Sequence, residues 1–298
     1  MTTNSTEVVG GTVPALVSTE WLAGHLDARD VRICDVRWYL PHVGKQGRDE
    51  YGQGHIPGAV FLELDTVLAR PAYDGPGRHP IPDARAFELA MRRAGIGPQT
   101  HVVAYDDAGG SIAGRLWWLL RYFGHDRASV LDGSIVKWRA EGRPLDTTVP
   151  AYPEGTYEAQ APGGGVVDKH TVRRLAAGSE VVVMDARARE RYEGQENPVD
   201  ARFGHVPGAR SAPFAGNLTG DAAPVFKAPD ELRAQFEALG VTPGKTVVAY
   251  CGSGVTACHT LLALHLAGHP DALLYEGSWS DWSRDESLPV ATGPDAGA

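Results

Sequence analysis

The chain alternates short apolar runs with longer stretches in which apolar residues recur at helical spacing. Residues 102–105 form a continuous apolar run that predicts a buried strand, and the leucines within residues 112–122 predict a helix after it. A helix over residues 260–266 and a strand over residues 272–275 repeat this order. Buried apolar strands separated by helices are typical of a parallel sheet with helices on both faces. The pattern therefore predicts an α/β fold, in which ligands bind at the carboxyl ends of the strands.

The pattern of the first half recurs in the second half in the same order. Both halves contain Gly-His-apolar-Pro-Gly-Ala, at residues 54–59 and 204–209, which are 150 residues apart. Three further blocks match at offsets of 144 to 150 residues: 31–37 with 181–187, 101–105 with 246–250, and 131–138 with 275–282. Four matched blocks in one order indicate duplication of a whole domain.

The duplication predicts two tandem domains, each a mostly parallel sheet flanked by helices. We place them at residues 14–143 and 166–292, joined by a linker at 144–165 that is rich in Pro and Gly. Residues 1–13 are predicted to be a disordered N-terminus, and residues 293–298 a frayed tail.

A cysteine directly follows the predicted strand at residues 246–250. Cys251 begins a loop that contains Gly252 and Gly254, and a helical pattern starts at about Ala257. Because glycine permits tight backbone conformations, the loop can curl until its N–H groups and the positive end of the helix face the sulfur. These groups favour the thiolate, which is the nucleophilic form. The alternative for Cys251 taken alone is a buried structural thiol.

The first half carries Asp106 at the position equivalent to Cys251, at an offset of 145 residues. The first domain is therefore predicted to lack the nucleophile and to form part of the pocket of the second domain. Several conspicuous residues are predicted to be structural: the Asp185–Arg187 ion pair, the turn histidines His55 and His205, the Trp117-Trp118 pair in the core or the domain interface, and Cys258 in helix packing.

Composition and charge limit the classes of function. A length of 298 residues is enough for two domains, and a net charge of −9 argues against non-specific nucleic-acid binding. No apolar run approaches transmembrane length, and no signal-peptide pattern opens the chain, so no membrane partner is expected. Three cysteines fit a reducing cytoplasm better than a disulfide framework. No cluster with metal-ligand spacing occurs, so neither a metal nor a cofactor is expected.

The motifs resemble those of the two-domain rhodanese-type sulfurtransferases over about residues 16–290. Residues 51–59 resemble the N-terminal signature, and residues 275–282 resemble the C-terminal one, with Asp281 where the family usually has Glu. The Cys251 loop is most similar to that of the 3-mercaptopyruvate branch. Thiosulfate-preferring relatives usually have basic residues directly after the cysteine, whereas this chain has Gly252 and Ser253. An inactive first domain is also a feature of the family.

The resemblance implies roles for residues that are far apart in the chain. Asp65, His79 and Ser253 fall where the family has a Ser-His-Asp arrangement near the thiol. Arg191 matches an arginine that binds the carboxylate of the sulfur donor. The second such arginine is placed at Arg202, in a segment before Gly204 and His205 that departs from the family pattern by being shorter than usual. The loop residues expected to contact the donor are Gly252, Gly254, Val255 and Thr256. Without the resemblance, His79 would be interpreted as a surface histidine and Asp65 as a helix cap.

The implied reaction transfers a sulfane sulfur from 3-mercaptopyruvate, through a Cys251 persulfide, to a thiol or to cyanide. The acceptor thiol is expected to be a thioredoxin-like protein or a low-molecular-weight thiol. Thiosulfate:cyanide sulfur transfer is the alternative within the family. A cysteine phosphatase of related architecture is disfavoured because it requires Cys-x5-Arg, and Ala257 stands at the arginine position. A non-catalytic binding module is expected to lose the nucleophile in both halves, whereas only one half has lost it.

Overall fold

The computed structural model describes residues 13–161, 164–176 and 178–294. Residues 1–12 of the predicted disordered N-terminus and residues 295–298 of the predicted tail lie outside this part of the chain. None of the helices in the described ranges has both the length and the apolar character of a membrane-spanning segment.

The first half of the chain forms a five-stranded sheet in which every pairing is parallel. Its strand order is β1-β5-β4-β2-β3. The strands are β1 (Leu16–Val17), β2 (Val31–Asp35), β3 (Val60–Phe61), β4 (His101–Tyr105) and β5 (Ala128–Leu131). The α-helices are α1 (Thr19–Ala23), α2 (Gly47–Gln53), α3 (Ala84–Arg93), α4 (Ala113–Tyr122) and α5 (Ser134–Ala140).

The second half repeats this architecture. Its sheet has the parallel order β6-β10-β9-β7-β8, which is the same topology as in the first half. The strands are β6 (Val166–Val167), β7 (Val181–Asp185), β8 (Arg210–Ser211), β9 (Thr246–Tyr250) and β10 (Leu273–Tyr275). The α-helices are α6 (Lys169–Leu175), α7 (Arg189–Glu193), α8 (Pro229–Ala238), α9 (Thr256–Leu266) and α10 (Ser278–Trp282). The prediction of two α/β domains is confirmed.

The strands predicted at residues 102–105, 246–250 and 272–275 and the helix predicted at residues 112–122 have bounds within one residue of those observed, whereas α9 does not. The sequence pattern starts this helix at about residue 257 and becomes clear at residue 260, whereas the helix begins at Thr256. Its first turn contains small residues, which contribute little to a helical period of large apolar side chains. The central strand β9 is buried from Val247 to Tyr250, as expected for a strand covered by helices on both faces.

The two domains share one apolar core, which passes through helices α4 and α9. The indole of Trp117 on α4 packs edge-on against the ring of His265 on α9, with ring centres 5.5 Å apart. This contact confirms the predicted interface position of the tryptophan. The segment after α5 runs along the first domain, where Tyr157 is buried and the Tyr152 hydroxyl donates to the carbonyl of Gly58 at 2.8 Å. Docking of the domains brings loops of the first domain to the carboxyl end of β9.

Candidate active site

Cys251 lies directly after the central strand β9, and only 3% of its surface is exposed. Its loop turns sharply at Gly254, which has a φ of +81°. A Cβ atom at Gly254 would lie 2.3 Å from the carbonyl oxygen of Glu276, so only glycine fits there. Val255, which is buried, and Thr256 continue the loop into α9, so the loop residues expected from the sequence surround the start of one helix.

The loop after β10 holds the backbone around the cysteine. The Cys251 N–H donates to Oγ of Ser278 at 3.1 Å, and the Cys251 carbonyl accepts from the N–H of Trp279 at 2.9 Å. The Gly252 carbonyl accepts from the N–H of Ser280 at 2.9 Å. Ser278 has a φ of +52°, and Ser134, at the matching position of the first domain, has a φ of +58°. Non-glycine residues rarely adopt this backbone, so both copies hold a strained turn beside the loop.

The structure brings Ser253, His79 and Asp65 into one hydrogen-bonded chain. Nδ1 of His79 lies 2.7 Å from Oγ of Ser253, and Nε2 of His79 lies 3.1 Å from Oδ1 of Asp65. Ser253 belongs to the Cys251 loop of the second domain, whereas the other two residues come from the first domain. The predicted arrangement therefore forms across the domain interface.

Trp38 completes the environment of this chain. Its indole Nε1 donates to Oδ2 of Asp65 at 2.8 Å, and its ring packs edge-on against His79 with ring centres 5.4 Å apart. The hydrogen bond from His79 lowers the pKa of the Asp65 carboxyl group, and the bond from Trp38 lowers it further. Asp65 is not the cap of the short helical turn Leu64–Leu68, since Glu63 occupies that position. The carboxylate instead orients the imidazole.

Arg115 on α4 connects the first domain to the Cys251 loop. Its guanidinium is fully buried and donates to the carbonyl oxygens of Gly254 at 3.2 Å and His79 at 3.1 Å. A third bond, at 3.3 Å, reaches the carbonyl of Leu68. One side chain therefore positions both the loop that carries Ser253 and the segment that carries its histidine partner.

Arg191 lies beside the loop and is already paired with a carboxylate. Its Nε and Nη2 donate to Asp200 at 2.9 Å and 2.5 Å. Asp200 also accepts from Nη1 of Arg187 at 3.3 Å, so two arginines share this carboxylate. The side of Arg191 nearest the loop faces Gly252, where a Cβ atom would lie 3.2 Å from Nη2 of Arg191.

Arg202 has a different environment. Its guanidinium donates to the carbonyl oxygens of four residues in and after α10: Trp282, Ser283, Asp285 and Leu288. These bonds hold the C-terminal end of the second domain against the segment before β8. None of these four bonds joins Arg202 to the Cys251 loop.

The first domain contains the same loop with a carboxylate in place of the thiol. The Asp106 carboxylate accepts four backbone N–H bonds, at 2.8 to 2.9 Å. The donors are Ala108, Gly110, Ile112 and Ala113. Burial raises the pKa of Asp106, and the four donors oppose part of that rise. The backbone N–H groups of this loop therefore form an anion cradle, and the anion that they bind is the carboxylate of Asp106 itself.

The residues predicted to be structural have structural contacts. The guanidinium of Arg187 binds Asp185 through Nε at 3.0 Å and Nη2 at 2.6 Å, which confirms the predicted ion pair. Nδ1 of His55 donates to the carbonyl of Tyr51 at 2.9 Å, and the imidazole stacks on the Tyr51 ring. The matching pair in the second domain is His205 with Tyr192.

The two remaining cysteines are buried thiols. Burial raises the pKa of Cys258 to about 12, and its Sγ donates to the Gly254 carbonyl at 3.3 Å. Burial likewise raises the pKa of Cys34 to about 12. Both therefore remain protonated at neutral pH, in line with the packing role predicted for Cys258.

A pocket of about 640 Å³ opens beside the Ser-His-Asp chain. Its walls include Trp38, Asp65, Arg78, His79 and Val199, most of which belong to the first domain. Arg78, Arg115 and Ser278 were not identified from the sequence. The only available signal was indirect: Arg78 directly precedes His79, and Ser278 occupies a block that matches in both halves.

Known proteins are similar to this chain in both sequence and architecture. The family of Rhodanese-like domains matches residues 18–141 and 168–285. A probable 3-mercaptopyruvate sulfurtransferase of Pseudomonas aeruginosa is 39% identical, over 93% of this chain and 98% of its own length. A thiosulfate sulfurtransferase of Bos taurus is 37% identical, over 90% of this chain and 91% of its own length. The crystal structure of SseA from Escherichia coli, described as a 3-mercaptopyruvate sulfotransferase, has a TM-score of 0.78 and 34% identity, covering 90% of this chain and 100% of that one. The chain therefore belongs to the rhodanese family and contains two rhodanese-like domains.

Proposed function

We propose that this protein is a sulfurtransferase that moves a sulfane sulfur from 3-mercaptopyruvate, through a persulfide on Cys251, to a thiol or cyanide acceptor. The observation that carries the choice of donor is the chain from Ser253 through His79 to Asp65 beside the cysteine loop. Such a chain serves a leaving group that must be protonated, and the enolate of pyruvate is one.

The first half-reaction is a displacement at sulfur. The Cys251 thiolate attacks the sulfur of 3-mercaptopyruvate, an S–S bond forms, and the C–S bond breaks with its electron pair passing to the organic product. That product is the enolate of pyruvate, which takes up a proton to become pyruvate. The persulfide keeps the transferred sulfur until an acceptor thiol or cyanide removes it and restores the thiolate.

The Ser253 hydroxyl is placed to assist the departure of the enolate. When both nitrogens of His79 carry protons, Nε2 donates to Asp65 and Nδ1 donates to Ser253. The serine O–H is then free to donate to the carbonyl oxygen of the donor, where negative charge develops. Asp65 accepts from Nε2 and so orients the imidazole with Nδ1 toward the serine hydroxyl, which is the arrangement that a proton relay requires.

The Asp106 cradle supports the persulfide intermediate. A cysteine persulfide and an aspartate have the same number of bonds from Cβ to the terminal atom. Sγ of the persulfide corresponds to Cγ of the aspartate, and the outer sulfur corresponds to Oδ. By the offset of 145 residues, the four donors to Asp106 correspond to the N–H groups of Ser253, Val255, Ala257 and Cys258. The N–H of Cys258 already donates to the carbonyl of Val255 at 3.0 Å, so we infer that the N–H groups of Ser253, Val255 and Ala257 receive the outer sulfur of the Cys251 persulfide.

We propose that Arg191 binds the carboxylate of the donor. Its guanidinium lies beside Gly252, which directly follows the nucleophile, and Asp200 orients it through Nε and Nη2. Arg202 is fully engaged by carbonyl oxygens in and after α10, so we do not retain it as a donor ligand. The loop residues Gly252, Gly254, Val255 and Thr256 shape the site through their backbone.

The second candidate is thiosulfate:cyanide sulfur transfer, and the bovine relative is named a thiosulfate sulfurtransferase. Thiosulfate leaves as sulfite and needs no enolate to be protonated. We therefore expect a preference for 3-mercaptopyruvate of at least about tenfold in kcat/KM, or ~1.4 kcal/mol in the transition state. The cysteine content also leads us to propose a cytoplasmic location, and a thioredoxin-like protein or a small thiol as acceptor.

Intact-mass measurement and initial rates test the proposal together. Incubation with 3-mercaptopyruvate should add the mass of one sulfur atom to the wild-type protein and none to the Cys251→Ser variant. Cys34→Ser and Cys258→Ser, which remove buried thiols, are the matched controls and should keep most of the activity. Turnover retained by Cys251→Ser would disprove the persulfide mechanism. Equal or better use of thiosulfate by the wild type would overturn the choice of donor and leave sulfur transfer intact.

A further inference from the structure

Two guanidinium groups flank the residue that follows the nucleophile. A Cβ atom at Gly252 would lie 3.2 Å from Nη2 of Arg191 and 3.2 Å from Nη2 of Arg78. Arg191 comes from the second domain, whereas Arg78 comes from the first, directly before His79. The loop after Cys251 carries no basic residue of its own, so both cations reach it from elsewhere in the fold.

The two cations differ in how their charge is compensated. Arg191 is paired with Asp200, which also binds Arg187, and Arg187 is paired with Asp185. These two arginines and two aspartates sum to no net charge. In the part of the chain that the structure describes, the Arg78 guanidinium has two hydrogen-bond acceptors, both backbone carbonyls.

Those acceptors leave the charge of Arg78 uncompensated. The carbonyl of Val199 lies 3.1 Å from Nη1, and the carbonyl of Gly252 lies 3.5 Å from Nη2, which is long for a hydrogen bond. Since a carbonyl does not neutralise a guanidinium, the positive charge next to Gly252 belongs mainly to Arg78. Its side chain also lines the 640 Å³ pocket together with His79 and Asp65.

The position of Arg78 is built into the domain interface. Gly77 has a φ of +78°, and a Cβ atom there would lie 2.4 Å from the carbonyl oxygen of Gly277. Only glycine therefore allows this loop of the first domain to approach the second domain so closely. The next residue is held by its backbone, because the Arg78 N–H donates to Oγ of Ser280 at 3.1 Å.

Building on the proposed sulfur transfer, we infer that Arg78 is a specificity-determining residue that binds the negative charge of the donor beside Cys251. The catalytically silent domain thus contributes to the site both the histidine of the Ser-His-Asp chain and the uncompensated cation. Arg191 orients one anionic group of the donor, and Arg78 favours anionic over neutral reactants at the sulfur. A doubly charged donor gains more from Arg78 than a singly charged one does.

Alkylation of Cys251 tests this inference without any sulfur transfer. Iodoacetate and iodoacetamide transfer similar groups to a thiolate with loss of iodide, but only iodoacetate is negatively charged. The ratio of their rate constants cancels any change in the reactivity of Cys251 itself. Mass analysis of the Cys251 peptide, with Cys251→Ser as the blank, gives this ratio for each variant.

We expect Arg78→Gln to lower the iodoacetate-to-iodoacetamide ratio by at least about fivefold, and Arg78→Lys, which keeps the charge, to lower it by less than about twofold. Arg284→Gln is the matched control, because this exposed arginine lies 4.2 Å from the centre of the Tyr73 ring rather than at the loop. Its ratio should equal that of the wild type. A ratio unchanged in Arg78→Gln, or lowered equally in Arg284→Gln, would overturn the inference.

Steady-state rates then distinguish this inference from the proposed function. In Arg78→Gln, kcat/KM should fall by at least about tenfold for thiosulfate and by a smaller factor for 3-mercaptopyruvate. Transfer from the preformed persulfide to a neutral thiol, dithiothreitol, should change by less than about twofold. A wild-type protein that transfers no sulfur but shows the expected alkylation ratios would contradict the proposed function and leave the anion site standing. Equal losses for both donors and for dithiothreitol would contradict the role in specificity.

Discussion

Nδ1 of His79 lies 2.7 Å from Oγ of Ser253, although the two residues are separated by 174 positions and belong to different domains. The contact exists only when the loop of the first domain is docked on the Cys251 loop of the second. The fully buried Arg115 holds that docking through the carbonyls of His79 and Gly254. The proposed proton relay is therefore a property of the domain pair, and neither sheet contains it alone.

The relay predicts non-additive effects of mutation. Ser253→Ala and His79→Asn should each lower kcat with 3-mercaptopyruvate by about 10²- to 10⁴-fold, the scale of a lost general acid. The double variant should be no more than about threefold slower than the worse single variant, because both changes interrupt one chain. Thiosulfate turnover should fall less, since sulfite needs no such proton. Losses that multiply in the double variant would show that the two residues act separately.

Replacing Arg191 should lower activity, whereas replacing Arg202 should lower stability. Arg191→Ala should lower kcat/KM for 3-mercaptopyruvate, with a loss of transition-state stabilisation of about 2–4 kcal/mol, because a charge-assisted contact to the donor carboxylate disappears. Arg202→Ala should lower the free energy of unfolding by about 2–4 kcal/mol, since four backbone carbonyls lose a charged donor. Assayed well below its melting temperature, the Arg202 variant should keep kcat/KM within about threefold of wild type. The opposite pattern would place the donor carboxylate at Arg202.

The anion cradle around Asp106 predicts that the Cys251 loop can accommodate an aspartate in place of the nucleophile without loss of stability relative to alanine. Cys251→Asp should be inactive, but it should unfold at a higher temperature than Cys251→Ala. The new carboxylate can accept N–H bonds like those at Asp106, where four such bonds form, whereas alanine leaves the cradle empty. Thermal denaturation of both variants near pH 7 measures the difference. A lower melting temperature for the aspartate variant would mean that the second loop does not form an anion cradle.

The three cysteines should differ in the pH at which their thiols become reactive. Burial raises the pKa values of Cys34 and Cys258 to about 12, so at pH 8 only about one molecule in 10⁴ carries a thiolate at either site. Native protein treated with iodoacetamide at pH 8 should therefore be modified at Cys251, and denatured protein at all three positions. Modification of the two buried thiols should rise only as the pH approaches 12. Fast labelling of Cys258 in the native protein at pH 8 would contradict its assignment as a packing residue.

The sequence alone determined the features that depend on local pattern and on repetition. The apolar runs predicted the buried strands, and the matched blocks predicted the two domains, because strand period and turn residues are properties of neighbouring positions. The loop from Cys251 to Gly254 was recognisable for the same reason: a thiol at a strand end followed by two glycines is a local arrangement. Asp106 was identified as its silent counterpart by offset alone.

The partners of the arginines were decided only by the tertiary structure. Four arginines illustrate this, because they are the same residue type in four environments. Arg78 faces the loop with its charge uncompensated, and Arg115 is buried against carbonyls. Arg191 is paired with Asp200, and Arg202 holds the end of α10. The arginine side chain is long and flexible, so the partner of its guanidinium depends on which segments are docked within its reach. That docking comes from burial of α4 against α9 and from close contacts such as Gly77 with Gly277. Contacts of this kind join positions far apart in the chain, and no local pattern encodes them.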